Sequence, residues 1–576
     1  MTVFEVWAPD KPVRLLVDGQ EREMESGEGG WWRLDVPEAG PGTDYAYRLP
    51  DEDNPLPDPR SAWQPAGVHG PSRVYDQDEF PWTDQAWTGR QLPGSVLYEL
   101  HIGTFTPQGT FDSAIEKLDH LVDLGVDLVE LLPVNAFNGT YNWGYDGVCW
   151  FAPHEAYGGP DGLKRFVDAA HARGLGVVLD VVYNHFGPSG AYAPMFAPYL
   201  SSGSNSWGSS LNLDGPGSGE VRRYIADSVL MWMRDYHVDG LRLDAVHALH
   251  DEGAVHLLEQ LAVEVETLST RLRRPLSLIA ESDLNDAKLI TPREAGGYGL
   301  HAQWDDDVHH ALHALLSGER QGYYGDFGSL DCLRTVLTGA FFHAGTWSSF
   351  RNRRHGRPVD RQRVPGHRFV AFLQNHDQIG NRAIGDRLTA TLSPGLLKVG
   401  ATLLLTSPFT PMLFMGEEWA ATSPWQFFTS HPEPELADAV KNGRRREFAT
   451  HGWDEAEVPD PQDPATFERS KLDWSERDKA GHAEILDLYQ QLIRLRRSAP
   501  GLTDPWLHDV EVWHGDQHVV IRRGTHVVAA NLAGTPQTVS VRSLPRSVLL
   551  ATSPGVVVER DRLVLPPETA AVVSVR

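Results

Sequence analysis

The sequence predicts an α/β protein built around a (β/α)8 TIM barrel, with an N-terminal β-sandwich before it and a C-terminal antiparallel β domain after it. Three observations support this fold class. Apolar strand-like runs alternate with amphipathic helical segments along the middle of the chain, eight such runs are present, and short strands without helices fill both ends. The length of 576 residues also exceeds that of one ordinary domain. We expect the domains at residues 1–90, 91–500 and 501–576.

The N-terminal domain is predicted to be an immunoglobulin-like sandwich. Strand-like segments at residues 4–7, 14–17, 31–36 and 45–49 are separated by Gly and Pro turns. Short strands at this spacing are typical of sandwiches. The proline-rich stretch at residues 55–72 predicts an extended connection into the next domain.

Apolar, β-branched runs mark the predicted strands of the barrel. Helical spacing of apolar residues predicts helices at 111–125, 162–173, 221–235 and 486–497. Alternation of strands and helices indicates parallel strands that close into a barrel. The eight strands are expected at residues 96–105, 126–134, 176–185, 238–246, 276–281, 302–304, 369–374 and 412–415, and the strands of the C-terminal domain at 510–513, 519–522, 527–531, 547–550 and 571–575.

Composition and charge disfavour several classes of protein. Lys and Arg number 51 against 78 Asp and Glu, and the net charge of −27 repels phosphate backbones and anionic lipid. We therefore expect neither a nucleic-acid nor a membrane partner. The two cysteines, Cys149 and Cys332, fit free thiols in a reducing compartment. The chain shows no signal peptide and no run of about 18 apolar residues, so we expect a cytoplasmic protein.

Acidic side chains lie at the C-terminal ends of four of the predicted strands. The third strand ends in a segment that holds Asp180, the fourth in one that holds Asp244, the fifth in one that holds Glu281 and the seventh in one that holds Asp377. Active sites of TIM barrels lie at the C-terminal ends of the strands. Any one of these acids could be a salt-bridge partner or a helix cap, but four at corresponding positions indicate a site.

Arg242 lies two residues before Asp244, so the two side chains share one face of the strand. A cation beside that carboxylate keeps it ionised. An ionised acid next to a second, protonated acid is the arrangement that glycoside cleavage requires.

Four segments, in the same order along the chain, resemble the signature motifs of the α-amylase superfamily of glycoside hydrolases. They are Asp180 with Asn184-His185, Gly240-Leu-Arg-Leu-Asp244, Glu281, and Asn375-His376-Asp377. The resemblance covers the whole chain, because the intracellular branch of that superfamily resembles this order of β-sandwich, barrel and C-terminal β domain.

The resemblance implies a catalytic role for three residues. Asp244 would be the nucleophile that forms a covalent glycosyl intermediate, Glu281 the general acid and then the base, and Asp377 the group that holds the hydroxyls of the distorted sugar. In a retaining pair the carboxyl groups lie about 5–5.5 Å apart, which neighbouring strands can supply. The substrate-binding residues that the resemblance implies are Arg242, His185, His376, Tyr145 and His247.

Three further stretches narrow the reaction within the superfamily. They are residues 280–286, 303–313 and 426–448, and all three resemble the malto-oligosyltrehalose trehalohydrolases. That family hydrolyses the α-1,4 bond next to a terminal trehalose and releases trehalose and a shortened maltodextrin. The resemblance also suggests functional coupling to a malto-oligosyltrehalose synthase.

The candidates for contacts to the trehalose leaving group lie just past Glu281. We expect Asp283, Asn285 and Asp286 to hydrogen-bond its hydroxyls. Such a site rejects a ligand without matching hydroxyls, because each unmatched buried polar group costs about 1–3 kcal/mol. Trp207 is a candidate for stacking on a sugar ring, and the alternative is packing into the rim of the barrel.

Several other groups have a structural and a functional interpretation. The histidines 309, 310 and 313 could bind a metal, but without a clear further ligand we expect helix-surface or structural groups. Residues 443–446 are expected to form an ion-paired face, residues 425–428 to pack more than to stack on sugars, and residues 351–368 to be a surface segment. The pair Trp31-Trp32 resembles a glycogen-module position, and packing against the barrel is the alternative.

Two other functions stay open. A glycogen-branching enzyme of the same superfamily would pass the glycosyl group from Asp244 to a sugar 6-hydroxyl, and the three stretches disfavour it. A non-catalytic glucan-binding protein is disfavoured by the intact set of Asp244, Glu281 and Asp377. We expect no cofactor. We also expect no metal, because some superfamily members bind calcium through the residue that matches Asn184, but nothing else in the chain indicates the remaining ligands.

Overall fold

A closed barrel of eight parallel strands forms the centre of the molecule. The structure, a computed structural model, describes residues 2–205, 207–450 and 458–576, with the side chains of 447–450 excepted. The predicted TIM barrel is confirmed, and each of its strands lies within or overlaps a predicted run. Around the barrel the strands are Leu97–Leu100, Leu128–Leu131, Gly176–Val181, Gly240–Leu243, Ser277–Ala280, Ala302–Trp304, Phe369–Phe372 and Thr410–Phe414.

Most barrel strands are shorter than the sequence predicts. The first strand ends at Leu100, because the N–H groups of Thr104 and Phe105 turn back to the carbonyl of His101 and form a single helical turn. Strand four likewise ends at Leu243, one residue before the acid that follows it. The polar residues therefore open the loops at the C-terminal face.

The interior of the barrel has an apolar layer and, above it, a layer of ionisable side chains. The apolar layer is Leu97, Leu128, Val178, Ile279, Ala302, Trp304, Val370, Phe372 and Met412, all buried. Side chains two positions further along a strand point to the same face. On strands one to four these are Glu99, Glu130, Asp180 and Arg242, each at most 2% exposed.

The helices pack outside the barrel. One prediction is wrong: residues 111–125 form two helices and not one, because Lys117 and His120 donate to carbonyls three residues back at the junction. Val122 of the second helix is 41% exposed. The helices of five or more residues are Phe111–Ile115, Leu118–Leu124, Gly159–Ala172, Ser218–Arg234, Leu257–Leu272, Asp306–Ser317, Leu330–Gly339, His376–Gly380, Pro394–Leu405, Pro434–Thr450, Pro464–Arg469 and His482–Ser498.

The N-terminal domain is a sandwich of two antiparallel sheets. Trp31 and Trp32 are half-buried against the hydrophobic core, and the guanidinium of Arg60 lies over Trp31 at 5.5 Å while it pairs with Asp227 of a barrel helix at 2.8 Å. Trp31 thus contacts the arginine that joins the sandwich to the barrel, whereas the indole of Trp32 donates to the carbonyl of Ala8 within the N-terminal domain. The three-stranded sheet is Thr2–Trp7, Trp31–Val36 and Glu25–Ser26, and the four-stranded sheet is Gln20–Glu23, Arg14–Val17, Asp44–Arg48 and Ser72–Arg73.

The connection between sandwich and barrel is pinned by a cluster of histidines and acids. Asp84 lies 2.8 Å from ring nitrogens of both His171 and His237. The other ring nitrogen of His171 lies 2.9 Å from Asp239, and Trp87 stacks on the His171 ring at 4.4 Å. This cluster fixes the connection to the start of strand four.

The C-terminal domain consists of two antiparallel sheets. The sequence predicts the five-stranded sheet but not the smaller one, whose strands are short. The larger sheet is Val510–His514, His518–Arg523, His526–Asn531, Thr569–Val575 and Pro545–Ala551, and the smaller is Gln537–Ser540, Arg562–Leu565 and Val557–Glu559. None of the helices in the described ranges combines the length and the apolar character that crossing a membrane requires.

Candidate active site

One buried guanidinium connects the carboxylates at the C-terminal face. Arg242 Nη1 donates to Asp180 at 2.8 and 3.0 Å and to Asp244 Oδ1 at 2.7 Å, and its Nη2 lies 3.7 Å from Glu281 Oε2. The adjacent register of strands three, four and five brings these side chains together. The other oxygen of Asp244 accepts a hydrogen bond of 2.8 Å from Asn184 Nδ2. Two donors therefore point at the Asp244 carboxyl group, and donors of this kind stabilise a negative charge.

Glu281 lies beside the same guanidinium. Burial raises its pKa well above the usual range, the guanidinium of Arg242 partly offsets this, and the negative charges of Asp244 and Asp306 add to the rise. The backbone N–H of Ala245 donates to Oε2 at 2.6 Å, so the proton of the neutral acid belongs on Oε1. The site thus places a carboxyl group that accepts from two donors beside an acid whose pKa is raised by burial.

A chain of hydrogen bonds lines the side of the site opposite Glu281. The hydroxyl of Tyr145 donates to Asp180 Oδ2 at 2.6 Å and lies 2.8 Å from His376 Nε2. The Tyr145 and His376 rings stack at 5.2 Å, which leaves the phenol as one wall of the site. Burial raises the pKa of Asp180 to about 6, although Arg242 opposes the rise.

His185 lies beside the nucleophile. Its Nδ1 is 2.5 Å from Asn184 Oδ1, and its Nε2 is 3.1 Å from the carbonyl of Tyr145. Both nitrogens therefore have protein partners, and burial lowers the pKa of this imidazole. His185 fixes the orientation of Asn184 and thereby of the amide that holds Asp244.

Two cavities meet at Glu281 and Asp377. The first measures about 490 Å³ and includes Tyr145, His185, Arg242, Asp244 and His376 in its lining. The second measures about 440 Å³ and contains neither Asp244 nor Arg242 among its lining residues. Both volumes lie in the range of about 300–1,000 Å³ for small-molecule sites. Glu281 and Asp377 thus lie between a cavity that contains Asp244 and a second cavity that does not.

The second cavity combines ring faces with charged groups. Arg351 Nη2 pairs with Asp283 Oδ2 at 2.6 Å, and the guanidinium lies over the ring of Phe350 at 5.8 Å. Tyr323 packs edge-on to Phe350 at 5.9 Å and donates to Gln378 at 3.0 Å. Aromatic faces with hydrogen-bonding groups around them suit the alternating apolar and hydroxyl surfaces of a sugar.

Trp207 and His247 border both cavities. The indole of Trp207 is 50% exposed, stacks near His185 at 6.1 Å and meets His247 edge-on at 6.0 Å. The ring is therefore part of the wall of the cleft and is not packed into the barrel. Residue 206, which precedes Trp207, lies outside the described residues.

The structure corrects the prediction for two of the three residues past Glu281. Asp283 lines the second cavity, but Asn285 and Asp286 line neither cavity. Asn285 adopts a left-handed conformation with φ 54°, which turns its amide under the loop to bind Asp307 at 2.8 Å. Asp286 then accepts the N–H of Lys288 at 2.9 Å and caps a short 3-10 turn.

The histidines of residues 303–313 are packing groups. His309, His310 and His313 are buried, so the helix-surface alternative is wrong. His310 and His313 stack on Tyr323 and Tyr324 at 4.6 and 4.4 Å. No group of three or more His, Cys, Asp or Glu side chains in the described parts of the chain is arranged to hold a metal ion.

Residues 425–446 divide between core and site. Trp425 is fully buried and stacks on Trp143 at 5.4 Å, as the packing alternative predicts. Arg444, in the segment predicted to form an ion-paired face, lies over Phe427 at 4.7 Å, donates to the carbonyl of Gly380 at 2.6 Å and lines the first cavity. The side chains of residues 447 and 448 in the third stretch lie outside those described.

Sequence reasoning missed several residues of the site. Phe350 and Arg351 lie in the turn of a hairpin whose strands are Thr346–Ser348 and Arg353–His355, and both line the second cavity. The expectation of a plain surface segment at 351–368 is therefore wrong for its first residue. Asp306 begins the helix after strand six, and burial together with the charge of Asp377 raises its pKa to about 7. The aromatic-basic pair 350–351 and the three consecutive acids 305–307 were the available signals.

The barrel, the paired carboxyl groups and the adjoining sugar-sized cavities define a glycoside hydrolase of the α-amylase type. A family model for the alpha amylase catalytic domain matches residues 71–206, and a domain of unknown function, DUF3459, matches residues 505–572. The crystal structure of an alpha-amylase-like protein from Salmonella typhimurium superposes with a TM-score of 0.91 at 38% identity, covering 100% of this chain and 97% of that one.

Curated relatives give the narrower assignment. A malto-oligosyltrehalose trehalohydrolase from Rhizobium sp. (strain M-11) is 56% identical over 99% of this chain and 97% of its own length. One from Arthrobacter ramosus is 61% identical over 86% of this chain and 87% of its own. The chain belongs to the malto-oligosyltrehalose trehalohydrolase family.

Proposed function

We propose that this protein is a retaining glycoside hydrolase that cleaves the α-1,4-glucosidic bond next to the terminal trehalose of a malto-oligosyltrehalose and releases trehalose. The observation that carries the proposal is the buried guanidinium of Arg242, which lies 2.7 Å from Asp244 and 3.7 Å from Glu281, an acid whose pKa burial raises. An ionised carboxyl group and a protonated one together perform acid-assisted nucleophilic attack on a glycosidic bond. The names of the full-length relatives support the choice of substrate.

In the first step a carboxylate oxygen of Asp244 attacks the anomeric carbon in the first cavity. Glu281 gives its proton to the glycosidic oxygen, the bond between that oxygen and the anomeric carbon breaks, and trehalose leaves with a free hydroxyl. The products are a glycosyl ester of Asp244 and an ionised Glu281. Arg242 and Asn184 hold the attacking carboxylate in place before the step.

In the second step a water molecule takes the place of the leaving group. Glu281, now a carboxylate, accepts a proton from the water while the water oxygen attacks the anomeric carbon. The ester bond breaks, Asp244 returns to its ionised form, and Glu281 is protonated again. Two inversions at the same carbon keep the α configuration. Asp377, which lines both cavities, is placed to hold hydroxyls of the sugar in each step.

The second cavity is the proposed site for the trehalose unit. Asp283 and Arg351 offer hydrogen-bonding atoms, and Phe350 and Tyr323 offer ring surface. A leaving group that does not satisfy the buried polar atoms there loses binding energy, since each unmatched group costs about 1–3 kcal/mol. Asp283 therefore takes over the role that the sequence assigns jointly to Asp283, Asn285 and Asp286.

The pathway context and the compartment are parts of the same proposal. A substrate that ends in trehalose requires a preceding reaction that converts the reducing end of a maltodextrin, and a malto-oligosyltrehalose synthase performs that class of reaction. The free, buried thiols of Cys149 and Cys332 support a reducing compartment such as the cytoplasm. Cell fractionation with an antibody to the protein tests this placement.

Product analysis on two isomeric substrates tests the reaction. The purified protein is incubated with maltopentaose and, separately, with its trehalose-terminated isomer, and Asp244→Asn serves as the matched inactive control. We expect free trehalose from the second substrate and slow turnover of the first. Branched glucan from amylose without trehalose would instead support the transferase, and no product from either substrate would support a binding protein.

A further inference from the structure

Glu99 on strand one holds residue 376 with both oxygens of its carboxylate. Oε1 lies 2.6 Å from His376 Nδ1, and Oε2 accepts the backbone N–H of His376 at 2.9 Å. Glu99 is 1% exposed and lies in the ionisable layer of the barrel, next to the start of the helix His376–Gly380. Side chain and backbone of the same residue are thus fixed by one carboxylate.

The contact continues without interruption to the nucleophile. His376 Nε2 lies 2.8 Å from the Tyr145 hydroxyl, which donates to Asp180 at 2.6 Å. Asp180 accepts from Arg242 at 2.8 Å, and the same nitrogen of Arg242 donates to Asp244 at 2.7 Å. Glu99 is the far end of this chain and contacts neither cavity.

The single hydrogen of the Tyr145 hydroxyl makes the protonation of His376 decisive. With hydrogens on both ring nitrogens, Nδ1 donates to Glu99 and Nε2 donates to the phenol oxygen, so the phenol hydrogen is free for Asp180. With a bare Nε2, the ring competes with Asp180 for that hydrogen. Loss of this hydrogen bond leaves more of the negative charge of Asp180 for Arg242 to neutralise, and Arg242 is then less available to Asp244.

We propose that Glu99 is a positioning residue: its carboxylate holds His376 with hydrogens on both ring nitrogens, so that Tyr145 stays bound to Asp180 and Arg242 stays directed at Asp244. The inference rests on the proposed function, because it assigns Glu99 a part in the same hydrolysis. Glu99 acts only through His376 and does not touch the substrate.

The charges around His376 agree with this assignment. Burial lowers the pKa of His376, but the charge and the hydrogen bond of Glu99 outweigh burial and raise it above its ordinary value. Asp377 adds to the rise and Arg242 opposes it. The titratable and charged groups that face His376 from all surrounding elements are Glu99, His101, Tyr145, Asp180, Arg242 and Asp377.

The test variant is Glu99→Gln, and its matched control is Glu130→Gln. An amide at position 99 can accept only one of the two N–H groups of His376 and presents its own hydrogens to the other. Glu130 lies directly across from Glu99 in the register of strands one and two and is equally buried, but neither of its carboxyl oxygens has a hydrogen-bond partner within the described residues. The control thus removes a neighbouring acid without touching the chain to Asp244.

The assay is fluoride release from α-maltotriosyl fluoride, with unfolding temperatures recorded for each variant. We expect Glu99→Gln to lower kcat by about 10- to 100-fold with little change in KM, as for other carboxylates that orient a functional histidine. Glu130→Gln should keep wild-type kinetics. A loss of less than about threefold in Glu99→Gln, or an equal loss in both variants, overturns the proposal. If Glu99→Gln does not fold, Tyr145→Phe breaks the same chain without removing a buried charge and carries the same expectation.

A spectroscopic readout separates this role from a general loss of packing. In protein with labelled histidines, His376→Gln identifies the resonance of His376. We expect that resonance to keep the shifts of a doubly protonated ring at neutral pH in the wild type and to lose them in Glu99→Gln. Identical shifts in both proteins contradict the proposal. Wild-type fluoride release without trehalose from the trehalose-terminated substrate refutes the proposed function and leaves the Glu99 comparison intact.

Discussion

The substitution Asn184→Ala measures how much the hydrogen bond from one neutral amide contributes to holding Asp244 in place for its proposed attack. Asp244 accepts one hydrogen bond from Arg242 at 2.7 Å and one from Asn184 at 2.8 Å. Hydrogen bonds to a charged group contribute about 1.5–3 kcal/mol. Since about 1.4 kcal/mol corresponds to a tenfold change in rate, loss of the amide should lower kcat by about 10- to 100-fold. The effect should appear in the attack step, where the carboxylate must be held in place.

The assay again uses α-maltotriosyl fluoride, because fluoride leaves without a proton from Glu281. Asn138→Ala is the matched control: this half-buried amide donates to Ser189 at 2.9 Å and to Glu433 at 2.8 Å, away from Asp244. Asn184→Asp separates two causes. It keeps an acceptor for His185 but removes the donor to Asp244, so it should be at least as slow as Asn184→Ala.

Two results would refute this reasoning. A loss of less than about threefold in Asn184→Ala would show that Arg242 alone holds the nucleophile. Near wild-type activity in Asn184→Asp would mean that the amide matters only as a partner of His185, whose Nδ1 lies 2.5 Å from it. Unfolding temperatures of all three variants establish that the rates refer to folded protein.

Three further predictions follow from the same contacts. Arg351→Met, which removes the partner of Asp283, should raise KM for the trehalose-terminated substrate by about 10- to 100-fold and leave α-maltotriosyl fluoride unaffected, so parallel kinetics on both substrates check the role of the second cavity. Glu281 must be protonated to act, and its pKa is raised, so trehalose release should persist at neutral pH and fall as pH rises through that pKa, while fluoride release should show no such fall in a pH–rate profile. His171→Asn should lower the unfolding temperature. Burial lowers the pKa of His171, but Asp239 and Asp84 outweigh burial and raise it above its ordinary value. The stabilisation by His171 is therefore full below the unfolded-state pKa of about 6.5 and is lost as pH rises through the folded-state pKa. Unfolding temperatures of both proteins measured against pH check this.

The general plan of the fold was predictable because strands and acids carry local signals. Apolar runs of four to six residues, each ended by a polar residue, mark barrel strands whatever the rest of the chain does. The sixth strand, Ala302–Trp304, has only three residues, and its place followed from the need for eight strands. The carboxyl groups at 244 and 281 were found because each directly follows such a run, and that of Asp377 because it lies a few residues beyond one.

The remaining parts of the site were not predictable from local pattern. Arg351 reaches the second cavity through a hairpin and pairs there with Asp283, which lies 68 positions earlier in the chain. Glu99 looks like any acid inside a buried strand until its contact with a residue 277 positions away is known. The turn of Asn285 away from the cleft had a sequence signal, since Asn tolerates the left-handed conformation, but the direction of the turn depends on its buried contact with Asp307.

The ionisable layer of the barrel explains why the free-energy effects of single substitutions in it will not add up in double variants. Arg242 is shared by Asp180, Asp244 and Glu281, so the charge available to one carboxyl group depends on the protonation of the other two. Burial raises the pKa of Glu130 well above the usual range, and the nearby carboxylate of Glu99 adds to the rise, which leaves that acid neutral. Removing one of the residues that share Arg242 therefore redistributes protons among the others, and coupling energies of about 0.5–3 kcal/mol are expected among them. Glu130, whose carboxyl oxygens have no hydrogen-bond partner within the described residues, does not belong to this network. The environments of Asp244 and Glu281 are therefore set together, by the shared guanidinium of Arg242 and by the burial of Glu281.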